Sequence, residues 1–569
     1  MINRSNRSKP VELNIVGSSV FGRYPKISIE KTYNMFQSDT FMVPYAGYKS
    51  IPDLDLGTSG RAIHTSVKLN KLVIVVDQNV YLVDLQYDQR LQKVINVIKT
   101  KIGELQTSTG IVYITENDKP QIVFSDNVNI YYYDPFTNAG PVFAIATKNG
   151  TDPLDFVPGY IDFHDTYVLC AATSDSFDTP RIFTNTWRLG ILSNNTPNAK
   201  LIFPSSSSDI GFLQTKPDNT RAVLRFPSRG NMIFVMGETV TEAWFDVGNQ
   251  LFPYSRNNSY NIDYGCVNPS TIAATDELVV WLAQNEKSGP IIMASDGGIP
   301  KKITTDGIDY LFSNLQSPQD SRAFMYRQDG HLFYHINFYS DNFSLFYDFS
   351  ADKFYHASDE SMNNFLADQV AFFNNQYFFI TKKNGSVYIF DTIFTTYDGL
   401  EIPRIRICKN IRDLTQQYFV ANDVGFTIEM GETPYQQQNG GPIFLITEDG
   451  KKLITEGEIL FLATQNNDPL ITEDLLNLIS EQTNPDGFSY LISEQADIIN
   501  VLPRVDLSIS IDGGASFSSY VPYIMNPIGR RKNRLMWWRL GIVNDLVCQF
   551  RFYGLGRFVA SDGVVNIRQ

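Results

Sequence analysis

The chain is poor in the residues that most chemistry depends on. Its 569 residues include four cysteines and five histidines. Cys170, Cys266, Cys408 and Cys548 are far apart and form no CxxC pair, which argues against both a disulfide framework and a zinc site. All four sit in apolar runs and read as buried free thiols made in a reducing compartment. His331 and His335 share a strand face but stand about 13 Å apart at ~3.3 Å per residue, too far to share a metal. No GxxxxGK[ST] loop, HExxH pair or GxSxG elbow occurs, so phosphate cradling and the common hydrolase sites have no support. No apolar stretch approaches the ~20 residues of a spanning helix, and the start, MINRSNRSKPVELNIVG, has no signal-peptide core. The expectation is a soluble, non-enzymatic chain with no cofactor, no metal and no membrane span, not exported by the usual route.

Positive charge is also scarce. The net charge is −14, which opposes a non-specific grip on nucleic acid, since that grip rests on Lys and Arg displacing counterions. Residues 441–500 hold eleven Asp or Glu and two Lys, a net of −9 in one segment.

What the chain has in abundance is aromatic residues, 40 Phe and 30 Tyr, which suit pleated, half-buried surfaces. Between about 60 and 395 one shape recurs: two apolar runs joined by a polar turn. KLVIVVDQNVYLVD (71–84) shows it, as does YFFITKKNGSVYIFD (377–391), with Lys383-Asn384-Gly385 at its tip. These hairpins end near 84, 134, 183, 246, 294, 348 and 391, a mean step near 51. Seven sheet-like units at such a period predict a β-propeller, because one blade cannot bury both faces without neighbours. A long array of β-sandwiches is the rival. The predicted fold class is all-β: a propeller of about seven blades over 60–400, an N-terminal arm with short strands over 1–59, and a C-terminal β-domain over 401–569. That last domain carries the acidic segment 431–500 as an inserted projection.

Three places in the C-terminal region attract a functional reading. The first is a word written five times, as LITED, LITEG, LITED, LISEQ and LISEQ, with Glu448, Glu456, Glu473, Glu481 and Glu494 in the fourth place. Asp449-Gly450 between the first two copies predicts a hairpin over 445–457, while 469–482 suits a strand or a helix. Tandem copies tend to give each carboxylate a similar environment, whereas acid–base pairs need unlike ones. Calcium needs denser oxygen ligands. A negative lumen or tip lining remains, beside the plain reading of a solvated segment. The second place is Ser510-Ile511-Asp512-Gly513-Gly514-Ala515-Ser516-Phe517, an S-x-D-x-G-x-[ST]-[WF] Asp-box. It predicts a tight structural turn built on Ser510, Asp512 and Gly514, with Phe517 anchored in the core. The third is the basic run Arg530, Arg531, Lys532 and Arg534, with Arg539 beyond, around MWWR. Strand alternation sends the two tryptophans to opposite sides, which favours a strand edge or subunit contact over DNA stacking.

Four stretches together resemble a known family. KTYNMFQSD…VPYAGYKSIPDL, GETVTEAWFDVG (237–248), YGCVNPSTIAATDELVVWLAQNEKSGPIIMASDGGIPKKIT (264–304) and SISIDGGASFS…GRRKNRLMWWRLGIVNDLVCQFRF (508–552) are similar, in order, to segments of the packaged-DNA-stabilisation proteins. That family forms the tail hub or nozzle of short-tailed bacteriophages. The LITED/LISEQ insertion departs from the family pattern. The resemblance implies a virion tail protein made in the host cytoplasm and assembled as a homo-oligomeric ring of six copies. The expected partners are a portal or adaptor ring, a tail needle or plug, a tailspike or fibre and, transiently, packaged double-stranded DNA. A tail propeller that binds or cleaves host surface glycan is the alternative.

Overall fold

The computed structural model describes residues 9–22, 30–88, 93–249, 252–412, 417–430, 454–456, 461–463, 503–525, 532–554 and 556–568. Seven antiparallel blades follow one another along the chain. The first comprises Gly60–Ser66, Lys71–Val76, Asn79–Asp88 and Lys93–Glu104. The second runs from Tyr113–Glu116 to Val142–Ile145, the third from Phe156–His164 to Leu201–Ile202, and the fourth from Ala222–Arg225 to Tyr254–Ile262. The fifth ends in Lys301–Lys302 and the sixth spans Ser321–Gln328 to Lys353–Ala357.

The seventh blade shows how the ring closes. Its strands Gln369–Phe373, Gln376–Ile380 and Ser386–Asp391 are completed on the outside by Gly47–Asp55, from before the first blade. The pairing is antiparallel, with Phe390 opposite Tyr48 and Asp391 opposite Gly47. The buried apolar residues form one core between each adjacent pair of blades, including the last with the first, where Leu72, Ile74 and Val83 meet Phe378, Ile380 and Val387. A closed ring is the arrangement in which seven blades have seven such cores. Because each blade is covered on both faces, its middle strands are buried throughout, as in Met232–Met236 and Ile291–Ser295. That is why they read in the sequence as unbroken apolar runs.

The aspartates that end so many of these hairpins have a common task. Asp134, Asp246, Asp296, Asp348 and Asp391 each accept, through the side chain, the backbone N–H two residues on, at 2.8–3.1 Å. The carboxylate thus closes the turn that leaves the third strand of the blade.

Residues before 60 and after 400 form a second unit, a two-sheet sandwich. One sheet holds Lys9–Leu13, Met35–Ser38, Phe41–Pro44, Phe419–Met430, Lys532–Val543 and Phe558–Arg568. The facing sheet holds Arg404–Ile407, Arg504–Ser510, Val521–Ile524 and Asp545–Tyr553. Their shared core includes Leu13, Met42, Phe426, Trp537 and Phe550. The four cysteines are buried and free, and Cys408 donates its backbone N–H to the Cys548 carbonyl on the neighbouring strand of the same sheet.

The segment read from sequence as an N-terminal arm is therefore split among three sheets. Lys31–Tyr33 pairs with both Lys353–Ala357 of the sixth blade and Arg404–Ile407 of the sandwich, so one ten-stranded sheet runs through both units. Arg406, with no side-chain exposure, fixes this junction. Its guanidinium donates to the carbonyls of Asn14, Ile15 and Ser18, to Thr32 Oγ1 and to Glu30. Hydrogen-bonding all these acceptors makes burial of the charge tolerable.

Two outcomes test this architecture. Tyr48 is buried and stacks on Tyr397 at 4.5 Å in the closing blade. Tyr48→Ala should cost about 3–5 kcal/mol in urea unfolding, since an aromatic is lost from a closed core. His335, stacked on Phe324 at 4.7 Å, has no hydrogen-bond partner on either ring nitrogen among the described residues, and burial pushes its pKa down to about 3. Its neutral form thus favours folding fully above about pH 6.5. That contribution is lost as pH falls from there, because the unfolded chain takes up a proton that the folded chain refuses. In His335→Phe the slope of stability against pH between 6 and 4 should flatten by about one proton, ~1.4 kcal/mol per pH unit.

Candidate functional site

The exposed flank of the sandwich carries three of the basic residues singled out above, Lys532, Arg534 and Arg539, with both tryptophans. Lys532–Val543 ends the order of its sheet, paired on one side with Phe419–Met430. Strand alternation divides it. Asn533, Leu535 and Trp537 point inward, and Lys532, Arg534 and Trp538 point to solvent. Trp537 is 5% exposed and donates its indole N–H to the Val521 carbonyl at 3.0 Å, whereas Trp538 is 64% exposed. Arg539 has φ +63°, a left-handed conformation that carries an irregularity opposite Ala421 and Asp423. Beyond it Ile542 is exposed, beside its exposed cross-strand partner Val420, with Tyr418 at the start of that strand and Val564 on the third. Lys532 meets Glu429 at 3.4 Å, an exposed pair of little energetic weight. The result is an apolar patch of Trp538, Ile542, Val420 and Tyr418 bordered by Arg534 and Arg539. Exposed patches of this kind mark contact surfaces. Arg530 and Arg531 lie outside the described residues.

The Asp-box forms the turn after Arg504–Ser510. Asp512 Oδ1 accepts the Ser510 hydroxyl at 2.6 Å and the Ser516 N–H at 3.0 Å, while Oδ2 accepts the Ser516 hydroxyl at 2.6 Å. Gly513 and Gly514 take φ of +72° and +96°, which glycine alone adopts freely. The hydroxyls of Ser510 and Ser516 hold the Asp512 carboxyl well below the usual carboxylate range. Phe517 is 36% exposed, so the aromatic of this motif is not anchored in the core. The strand it leads into, Val521–Ile524, is itself an exposed edge and offers no cavity to fill.

Of the five repeated glutamates, Glu448, Glu473, Glu481 and Glu494 lie outside the described residues. Glu456 ends the strand Ile454–Glu456, which pairs antiparallel with Phe461–Ala463, Glu456 opposite Phe461. The partner expected for this copy, 445–448, also lies outside the described residues.

A second concave region, which sequence reasoning missed, follows the propeller axis. Cavities of about 270 and 340 Å³ are lined by residues of every blade except the outermost strands, among them His64, Tyr113, Tyr160, Ser270, Arg322 and Met325. Tyr113 and Tyr160 lie 5.0 Å apart, and burial raises both hydroxyl pKa values. Among the described residues no three His, Cys, Asp or Glu side chains converge as a metal cage requires, and no helix is long and apolar enough to cross a membrane.

Residues 204–394, which include blades four to six and the first three strands of the seventh, match the phage-stabilisation family model described as Bacteriophage P22 Gp10, beta-propeller. Over these residues the chain is similar to the propeller of the phage Gp10 family. No curated protein matches the chain. Among solved structures, the N-terminal domain of Nup159 is 11% identical with a TM-score of 0.36, covering 66% of this chain and 99% of that one. Virginiamycin B lyase from Staphylococcus aureus is 11% identical with a TM-score of 0.37, covering 61% of this chain and 98% of the enzyme. The Cps50 (Swd1) β-propeller domain of Myceliophteria thermophila is 8% identical with a TM-score of 0.35, covering 63% of this chain and 99% of that domain.

The turn geometry yields a pH-dependent outcome. A carboxyl held low in the folded state favours folding above its ordinary value near 4, and that contribution is lost as pH falls below it. Asp512→Ala should lower the melting temperature at pH 7 by a few degrees, and the deficit should shrink below pH 4. An unchanged melting temperature at pH 7 would remove the turn's role.

Proposed function

We propose that the chain is a structural, non-enzymatic protein of a phage tail: a hub or nozzle that extends the portal channel, retains packaged DNA and conducts its ejection. The observation that carries this reading is the match of residues 204–394 to the phage-stabilisation model. A DNA conduit formed between copies of the chain calls for a ring. In this reading six copies surround the channel, and the exposed strand Lys532–Val543 with Trp538, Ile542 and Tyr418 supplies the contact between neighbours.

The acidic segment then has a place. Repeated around a symmetric channel, Glu448, Glu456, Glu473, Glu481 and Glu494 present a negative wall or tip to a negative polymer. Exiting DNA is kept from adhering, an effect that weakens as salt shortens the Debye length of ~8–10 Å. The portal or adaptor ring, the needle or plug and the tailspike or fibre are the expected neighbours.

Phage lacking the protein should package genomes and then leak them, and tails should hold six copies; retention of DNA in its absence overturns the reading. Arg534→Glu combined with Trp538→Glu should leave a folded monomer by circular dichroism that sediments as a single chain. Normal rings from this variant would remove the contact from that edge.

A further inference from the structure

The axial cavity of about 340 Å³ lies at the end of the tunnel where the chain enters its innermost strands. Its lining residues Ile111, Arg221, Asn268 and Gln319 come just before or at the start of blades two, four, five and six. Convergence of so many blades on one space is a property of the ring axis. The volume is that of a small-molecule pocket, ~300–1,000 Å³.

Arg322, in this wall, differs from three of the fully buried arginines. Arg61, Arg188 and Arg406 each make five hydrogen bonds to carbonyls, hydroxyls or carboxylates. The Arg322 side chain is 13% exposed, yet its one charged partner among the described residues is Asp368, at 3.7 Å. That is beyond hydrogen-bond distance, and Nη1 is buried with no acceptor. Asp368 accepts the Lys382 backbone N–H through Oδ2, while its Oδ1 is buried without a partner among the described residues. A planar fork of five donors in a confined space calls for an acceptor-rich partner.

The rest of the wall fits the same partner. Arg221 pairs with Glu238 through Nη2, and its Nε is buried without an acceptor. The Tyr113 hydroxyl and Ser270 Oγ stand 3.4 Å apart and face the same space as Tyr160. The one acid in the wall, Asp320, is engaged by Lys382 at 3.2 Å and Ser340 at 3.1 Å. We propose that this end of the tunnel binds a small molecule through a carboxylate or phosphate group, with Arg322 as the main donor and the two tyrosine rings as an apolar wall.

Calorimetry on the full chain tests this with three probes: inorganic phosphate, glucuronate and neutral glucose. Saturable binding of phosphate or glucuronate, but not of glucose, is expected at millimolar concentration. Phosphate alone would identify a phosphate-bearing ligand, and glucuronate alone a carboxylated sugar. Arg322→Gln should weaken binding at least about tenfold, or ~1.4 kcal/mol. Arg221→Gln, which leaves the Arg322–Asp368 pair in place, should weaken it less and keeps the test open if Arg322→Gln does not fold. Absence of saturable binding by either anion, equal binding of glucose, or undiminished binding in a folded Arg322→Gln overturns the proposal.

Discussion

One antiparallel pairing holds the molecule closed: Gly47–Asp55 against Ser386–Asp391. A propeller blade has two apolar faces and must be covered on both, so an open row of seven would leave its first and last blades each with a bare face. The core joining the seventh blade to the first is formed by strands more than 300 residues apart in sequence. Supplying the last outer strand from the N-terminal side locks that core, because the strand cannot leave without breaking both a ladder and the Tyr48–Tyr397 stack. Stability of the ring is thus cooperative around its circumference.

The same N-terminal stretch couples the ring to the sandwich. Lys31–Tyr33 is shared between a blade and the sandwich sheet, and Arg406 ties the turn before it to the strand after the propeller. The two units therefore share a hydrogen-bonded sheet in place of a linker. A contact made at the edge Lys532–Val543 is transmitted to the propeller as a rigid displacement, which suits a component of a conduit under load.

The sequence made the middle hairpins of the blades plain and hid the strands on either side of them, for a physical reason. Strands buried on both faces must be apolar at every position, as Lys71–Val76 is after its first residue. Innermost strands alternate between tunnel and core, and outermost ones are as short as Lys301–Lys302. The closing strand GYKSIPDLD carries exposed Lys49, Pro52 and Asp53, and nothing local says that it pairs with residue 390. The Asp-box was legible as a turn because its bonds are local, but the exposure of Phe517 depends on a neighbouring strand being an edge. Trp537 and Trp538 were separable by alternation alone. Arg322, in SRAFMYRQ, looks like any strand arginine; its lack of acceptors exists only in three dimensions.

Arg322 thus differs from Arg61, Arg188 and Arg406, and the difference bears on how the chain divides its work. Arg61, Arg188 and Arg406 are surrounded by acceptors from the chain itself, and each joins segments that would otherwise have unsatisfied carbonyls or carboxylates. Leaving a guanidinium buried without acceptors costs more than leaving it exposed, so its retention needs a compensating interaction. For Arg322 part of that compensation comes from Asp368 at 3.7 Å, and the tunnel that it lines has room for a further acceptor. The donors that line the tunnel are opposite in sign to the acidic residues of 441–500. On the proposed reading the two features serve different partners, the acidic segment DNA and the tunnel a small acceptor.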